Sequence, residues 1–296
     1  MRAAAYLALV ASLFLWAGNW VVARGMRDEI SPAIATLSRQ LIVVLLLSPF
    51  VLASLSRKLK TIDRKGWATL LLLALFGGGT HLTLQWLGLQ YTTATSGTLY
   101  LSISPIFILL LAGPLLGERI GARQWAGVAV SFVGVFFIAT QGNVLSLGFN
   151  IGDLLALISM LMWGAYTVFL RLRGDPLDTP EFLALLCALG IVWNLPWVAF
   201  EIVQGLVPRL TPIGATAVAY SAVGSMLLAY AGWNYAVSRL GAARAGVTMH
   251  LTPGFGVLLA ALFLDEYPGW FHFAGIALII AGVVLSSTRP RPPAGG

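Results

Sequence analysis

Apolar stretches long enough to cross a bilayer recur along the chain with short polar breaks between them. They fall at about 3–23, 31–54, 66–90, 94–116, 120–140, 150–171, 181–202, 212–238, 242–264 and 269–288. A helix needs roughly 20 mainly apolar residues to cross a ~30 Å hydrocarbon core. The pattern therefore predicts an all-α polytopic membrane protein with ten transmembrane helices. The first stretch lies where a signal peptide would. No small-residue cleavage site follows its core and nine further stretches do, so it reads as a span. Residues 289–296 (RPRPPAGG) are Pro-rich and read as a disordered tail.

Composition agrees with the pattern. Of 296 residues, 58% are hydrophobic and only 10% charged, against roughly 25% charge in a soluble domain. This excludes a water-soluble globule, and it excludes intrinsic disorder, which needs low hydrophobicity and high charge. The lone cysteine, Cys187, allows neither an internal disulfide nor a Cys-based metal site. Lys58, Lys60 and Lys65 are the only lysines, and none follows a Gly-rich phosphate loop. Transport driven by the chain's own nucleotide hydrolysis is thereby excluded.

The net charge of +7 reads as orientation rather than nucleic-acid binding. One face collects Arg2, Arg57, Lys58, Lys60, Arg64, Lys65, Arg119, Arg123, Arg171, Arg173, Arg239, Arg244, Arg289 and Arg291, which is 14 of the 18 basic residues. Arg24, Arg27 and Arg209 lie on the other face, and Arg39 lies within the second span. Basic loops stay cytoplasmic, so both termini are expected there and the span number is expected to be even.

The sequence also repeats itself. At an offset of 148, Ala94–Val135 aligns without gaps on Ala242–Val283. Pro105/Pro253, Phe107/Phe255, Glu118/Glu266, Gly127/Gly275 and Gly134/Gly282 are among the identical pairs. At 147, Ser12 and Trp16 match Ser159 and Trp163, with Asn19 facing Tyr166. Five spans per half is an odd number, so the halves enter the membrane in opposite senses. That is an inverted-topology repeat, a common plan among secondary transporters. The halves are 1–142 (first to fifth span) and 143–288 (sixth to tenth), followed by the tail 289–296.

The fourth-span pattern SPIFILLLAGPLLGERI and its echo TPGFGVLLAALFLDEYP each carry a mid-span proline and a terminal acidic residue, followed by a Gly-rich span. With the ten spans and paired halves, these features resemble the drug/metabolite transporter superfamily in its EamA form, over residues 3–288. Within it the chain looks most like YddG-type exporters of aromatic and other neutral amino acids. The resemblance implies a multi-pass protein of a bacterial inner membrane that exports small metabolites, with no cofactor.

Substrate sites in inverted repeats lie near the midplane, beside interrupted helices. Pro105 and Pro253 each sit about eleven residues into a span, roughly 16 Å deep. Proline removes a backbone donor and clashes with the preceding turn. Pro105, Pro253, Gly254 and Gly256 are therefore the hinge candidates, against a static kink as the plain alternative. Ser12, Trp16 and Asn19 share one helix face, as do Ser159, Trp163 and Tyr166. Trp16 and Trp163 lie about thirteen residues deep, although tryptophan prefers the interface. They line a cavity or pack with the indole bonded to a carbonyl.

Tyr100 and Ser104, with counterparts Thr248 and Thr252, extend the site, although such hydroxyls also bond back to their own helix. His81 with Gln85, and Tyr230 with Trp233 and Asn234, complete the substrate-binding set. His250 is a weaker candidate. Arg39 either snorkels to the interface or forms a structural or gating pair.

Asp153, Glu201, Asp265 and Glu266 fall at span ends rather than at the midplane, which disfavours a carboxylate proton relay. The expected function is secondary export of neutral or zwitterionic metabolites, amino acids first, by alternating access. Export or exchange of other small metabolites or drugs with proton coupling stays open. Sugar phosphates are disfavoured because they call for several buried basic residues. An intramembrane enzyme is the remote alternative: the chain lacks a Gly-x-Ser-x-Gly turn, paired intramembrane aspartates and a His-Glu-x-x-His helix. No metal is expected, since His81, His250 and His272 have no ligand-like spacing. The partners expected are a small-molecule substrate and membrane lipid, with no nucleic acid, and one chain holding both halves can act as a monomer.

Overall fold

The computed structural model describes residues 2–26, 29–91, 94–140, 143, 151–206, 211–263 and 269–287. The expected tail at 289–296 lies outside these residues, as do Arg27, Asp28, Arg209, Asp265 and Glu266. The side chain of Tyr100 also lies outside the described residues.

The described chain is helical. In order it forms α1 (Arg2–Met26), α2 (Pro32–Leu59), α3 (Arg64–Leu73), α4 (Thr80–Tyr91), α5 (Ala94–Leu116), α6 (Ala122–Ala139) and α7 (Ile151–Leu172). Then follow α8 (Thr179–Val203), α9 (Pro212–Tyr220), α10 (Ala229–Leu240), α11 (Ala242–Thr248), α12 (Thr252–Phe263) and α13 (Trp270–Ser287). A π turn, Ala74–Gly78, joins α3 to α4, and a second, Ser221–Leu228, joins α9 to α10. A 3-10 turn, Met249–Leu251, joins α11 to α12.

Six of the described segments are long and apolar enough to cross a membrane: Ala3–Val22, Pro32–Leu59, Arg64–Gly88, Ile151–Leu172, Thr179–Val203 and Pro212–Leu240. Ile103–Leu116, Ala122–Phe137 and Trp270–Ser286 are shorter apolar helices. The ninth expected stretch, 242–264, is divided by the 3-10 turn. Large apolar side chains face outward, Phe50 84% and Val203 83% exposed among them. Soluble proteins rarely present such a surface over wide areas, and lipid tails cover it without penalty.

Equivalent helices of the two halves pack together and run antiparallel. In the α6–α13 pair, a Cβ added at Gly127 would stand 2.5 Å from the Gly282 carbonyl, and one at Gly134 2.5 Å from the Gly275 carbonyl. Ser131 Oγ donates to the Ile279 carbonyl midway between, at 3.2 Å. These glycines serve packing, because small residues let helix backbones approach closely.

The α2–α8 pair is fastened at both ends. At one, the Glu201 carboxylate accepts from Ser31 Oγ at 2.5 Å and from the Ala33 and Ile34 N–H groups at 2.8 and 3.0 Å. It thus caps the start of α2, where four N–H groups lack intrahelical partners and a negative charge is favoured. At the other end, Lys58 Nζ reaches Asp178 at 2.9 Å and Glu181 at 2.7 Å. The remaining helices exchange partners between halves. α7 packs on α4 and α5, as α1 packs on α10 and α12.

Candidate functional site

The offset of 147 that relates Trp16 to Trp163 also relates Ala74 to Ser221, the first residues of the two π turns. π turns leave main-chain groups without regular helical partners and are frequent at functional sites. Here side chains claim the carbonyls. Gln40 Nε2 donates to Gly78 O at 2.6 Å, and Trp16 Nε1 donates to Ser225 O, its repeat counterpart, at 3.0 Å. The Tyr230 hydroxyl donates to Gly77 O at 2.8 Å. Glycine at 77 is required, since any Cβ there would run into the Tyr166 ring.

Between these turns lies an aromatic cluster drawn from both halves. Trp16 and Trp163 meet edge to face with ring centroids 5.0 Å apart. Tyr230 and Trp233 lie 5.4 and 5.6 Å from Trp163, Tyr166 lies at 5.1 Å, and His81 at 5.3 Å. Trp163, Tyr166, Tyr230, Trp233 and His81 are all buried, while Trp16 is partly exposed.

Polar contacts hold the cluster in place. His81 Nδ1 stands 3.0 Å from the Ser159 carbonyl and 2.9 Å from its hydroxyl. The Tyr166 hydroxyl donates to Asn234 Oδ1 at 2.7 Å. Trp163 Nε1 points to the Met249 thioether at 3.3 Å, and Ser104 Oγ points to the same sulfur at 3.6 Å. Met249 thus links α7, which bears Trp163, and α5, which bears Ser104, to the break in the ninth segment. It was not legible as a site residue, because a methionine in an apolar run reads as filling.

The other candidates separate into groups. Asn19 is buried, and its Oδ1 accepts from Ser221 Oγ, at the start of the second π turn, at 2.7 Å. Gln85 is buried one turn beyond His81. Thr248 Oγ1 donates to Ala245 O in its own helix at 2.6 Å, and Ser12 likewise to Ala8 O at 2.7 Å. Thr252 Oγ1, Trp233 Nε1, Asn234 Nδ2 and both ring nitrogens of His250 are buried without a hydrogen-bond partner. Buried polar groups are nearly always paired, so this concentration of exceptions marks the region.

The two prolines behave differently. α5 runs unbroken through Pro105. The ninth segment breaks just before Pro253. Pro253 cannot donate to the Met249 carbonyl four residues back, and the Thr252 N–H takes that carbonyl instead, tightening the turn to 3-10. Gly254 and Gly256 follow. A Cβ at Gly254 would meet only Ile276, at 3.8 Å, and one at Gly256 would meet nothing within 4 Å. Packing does not require either glycine.

Arg39 corrects one expectation. It is 1% exposed and enclosed by the bundle, so its stem does not carry the charge to the interface. Two of the described carboxylates sit at helix ends. Glu201 caps α2, and Glu118 accepts from the Ala242 and Ala243 N–H groups at 3.3 and 3.2 Å. Among the described residues no group of three or more His, Cys, Asp or Glu side chains is arranged to hold a metal ion.

Two segments, 3–140 and 150–288, each match the EamA-like transporter family. The chain belongs to that family. It is a transporter rather than an enzyme. An uncharacterized transporter of Archaeoglobus fulgidus is 29% identical over 98% of this chain and 99% of its own length. A "Probable terminal-alkyne amino-acid exporter" of Streptantibioticus cattleyicolor is also 29% identical, over 70% of this chain and 68% of its own. One solved crystal structure has the same fold, with a TM-score of 0.76 over 97% of both chains at 20% identity.

Proposed function

We propose that this EamA transporter exports neutral amino acids, aromatic ones foremost, from the cytoplasm across a bacterial inner membrane by alternating access. Ten spans form two inverted sets of five, over 1–142 and 143–288, with both termini cytoplasmic. The cavity opens between the halves, at the aromatic cluster. The observation that carries this reading is the pairing of Trp16 with Trp163, equivalent residues of opposite halves, inside a shell that also holds His81 and Tyr230. Rings that separate on opening would expose indole faces and N–H donors at mid-depth, which suits an aromatic, net-neutral cargo. The amino-acid exporter among its relatives supports the same class.

The movable element is the ninth segment, hinged at Met249–Leu251 and loosened by Gly254 and Gly256. Proton-coupled exchange is the second reading, and His250 favours it: both its ring nitrogens are buried and unpartnered. Uptake of a labelled amino-acid panel into proteoliposomes, with and without a pH gradient, tests both. Saturable uptake of phenylalanine, tryptophan or leucine is expected. Uptake of none of the panel would overturn the substrate class, and a gradient-dependent rate would select the coupled reading.

A further inference from the structure

Arg39 is a fixed positive charge enclosed by the bundle. Arginine is not deprotonated in proteins. Among the described residues no carboxylate lies within ion-pair distance of it. Its Nη2 donates to Thr36 Oγ1 at 2.9 Å, one turn back on the same helix, and the guanidinium stands 4.7 Å from the centroid of the Trp86 ring. Its Nε is buried and unpartnered, and so is Oε1 of the adjacent Gln40. A charge within a membrane-spanning bundle is costly to keep and is normally paired or functional. A hydroxyl and one aromatic face do not balance it.

Its position connects it to the cluster. Trp86, whose ring its guanidinium faces, lies on α4 together with His81. His81 and Tyr230 belong to the aromatic cluster, and Gln40 beside Arg39 holds the π turn whose Gly77 carbonyl takes the Tyr230 hydroxyl. The charge therefore borders the place where the halves meet.

We infer that Arg39 is the anchor for a carboxylate on the transported molecule, with the free Nε–H and the neighbouring Nη2 forming one side of a two-pronged contact. This rests on the transport reading and narrows it: the cargo bears a carboxylate, and an otherwise identical amine is refused. Arg39 matches one carboxylate, which a zwitterion and a monocarboxylate each present, whereas a phosphate dianion would bring a second negative charge with no cation to meet it.

The test uses the purified full chain with three probes that share a phenyl ring: phenylalanine, 3-phenylpropionate and phenethylamine. Phenylalanine and 3-phenylpropionate are expected to raise the unfolding temperature in a saturable way, and phenethylamine is not. Arg39→Gln should weaken both carboxylate probes about 10- to 100-fold, the range for a hydrogen bond to a charged group, and Arg39→Lys should restore part of it. Trp86→Leu, which removes the stacking and keeps the charge, should retain the preference for carboxylates.

Equal stabilisation by phenethylamine, no stabilisation by either carboxylate probe, or unchanged affinity in Arg39→Gln would overturn the inference. Binding lost in Arg39→Gln and Trp86→Leu alike, in step with lost stability, would show a structural arginine and overturn it too. The broader reading fails separately. If phenylalanine is transported and Arg39→Gln keeps the wild-type KM, only the arginine assignment falls. If 3-phenylpropionate binds through Arg39 and no amino acid is transported, only the amino-acid reading falls.

Discussion

Trp16 and Trp163 stand edge to face at the centre of the bundle, ring centroids 5.0 Å apart and planes at 88°. They are the same position in the two halves, brought into contact by the repeat. An edge-to-face pair contributes about 0.5–1.5 kcal/mol beyond the area it buries. A double-mutant cycle of Trp16→Ala and Trp163→Ala, read by unfolding in detergent, should give a coupling of that size. Trp163→Ala alone should destabilise by about 3–5 kcal/mol through the cavity it leaves. Additive effects would mean that the rings are not in contact in the folded protein.

Trp163→Phe separates packing from chemistry. It keeps a ring in place and removes the N–H that points to Met249. Folded yield should stay near wild type while transport falls. Transport at the wild-type rate would remove Trp163 from the site.

Gly256 tests the hinge. Nothing lies within 4 Å of a Cβ placed there, and alanine is favoured over glycine in a helix by about 1 kcal/mol. Gly256→Ala should leave stability equal or higher and slow turnover with little change in KM. A stable variant with unchanged turnover would mean that the break at Met249–Leu251 is static.

Glu201 tests the fastening of α2 to α8. Glu201→Ala removes the acceptor for Ser31 Oγ and for two N–H groups at the helix start. The expected loss is about 1–2 kcal/mol, with Glu201→Gln between it and wild type. Thermal unfolding in detergent checks the order. No change in Glu201→Ala would mean that α2 is capped by other means.

Much of this arrangement was legible in the sequence, because a repeated chain leaves matching residues at a constant offset. The pairing of Gly127 with Gly282 and of Gly134 with Gly275 follows from small residues recurring seven apart in both halves. The tryptophans announced themselves by lying too deep for an interface residue. The π turns did not, since no residue type codes for a π turn. The run Gly77–Gly79 was the only trace of the first, and Ser221–Leu228 carries no comparable run. The unequal behaviour of Pro105 and Pro253 was equally hidden. Identical residues at one depth give a continuous helix in α5 and a 3-10 break before α12. Arg39 had two readings on paper, and only its enclosure by neighbouring helices removed the snorkelling one.

Counterflow in proteoliposomes tests the central claim most directly. Vesicles holding the full chain are loaded with unlabelled phenylalanine and diluted into a trace of the labelled amino acid. A carrier whose two halves alternate around one site should accumulate label transiently above equilibrium, and Trp163→Phe should blunt the overshoot. Label that rises only to equilibrium, at the same rate in loaded and empty vesicles, would contradict alternating access around the paired tryptophans.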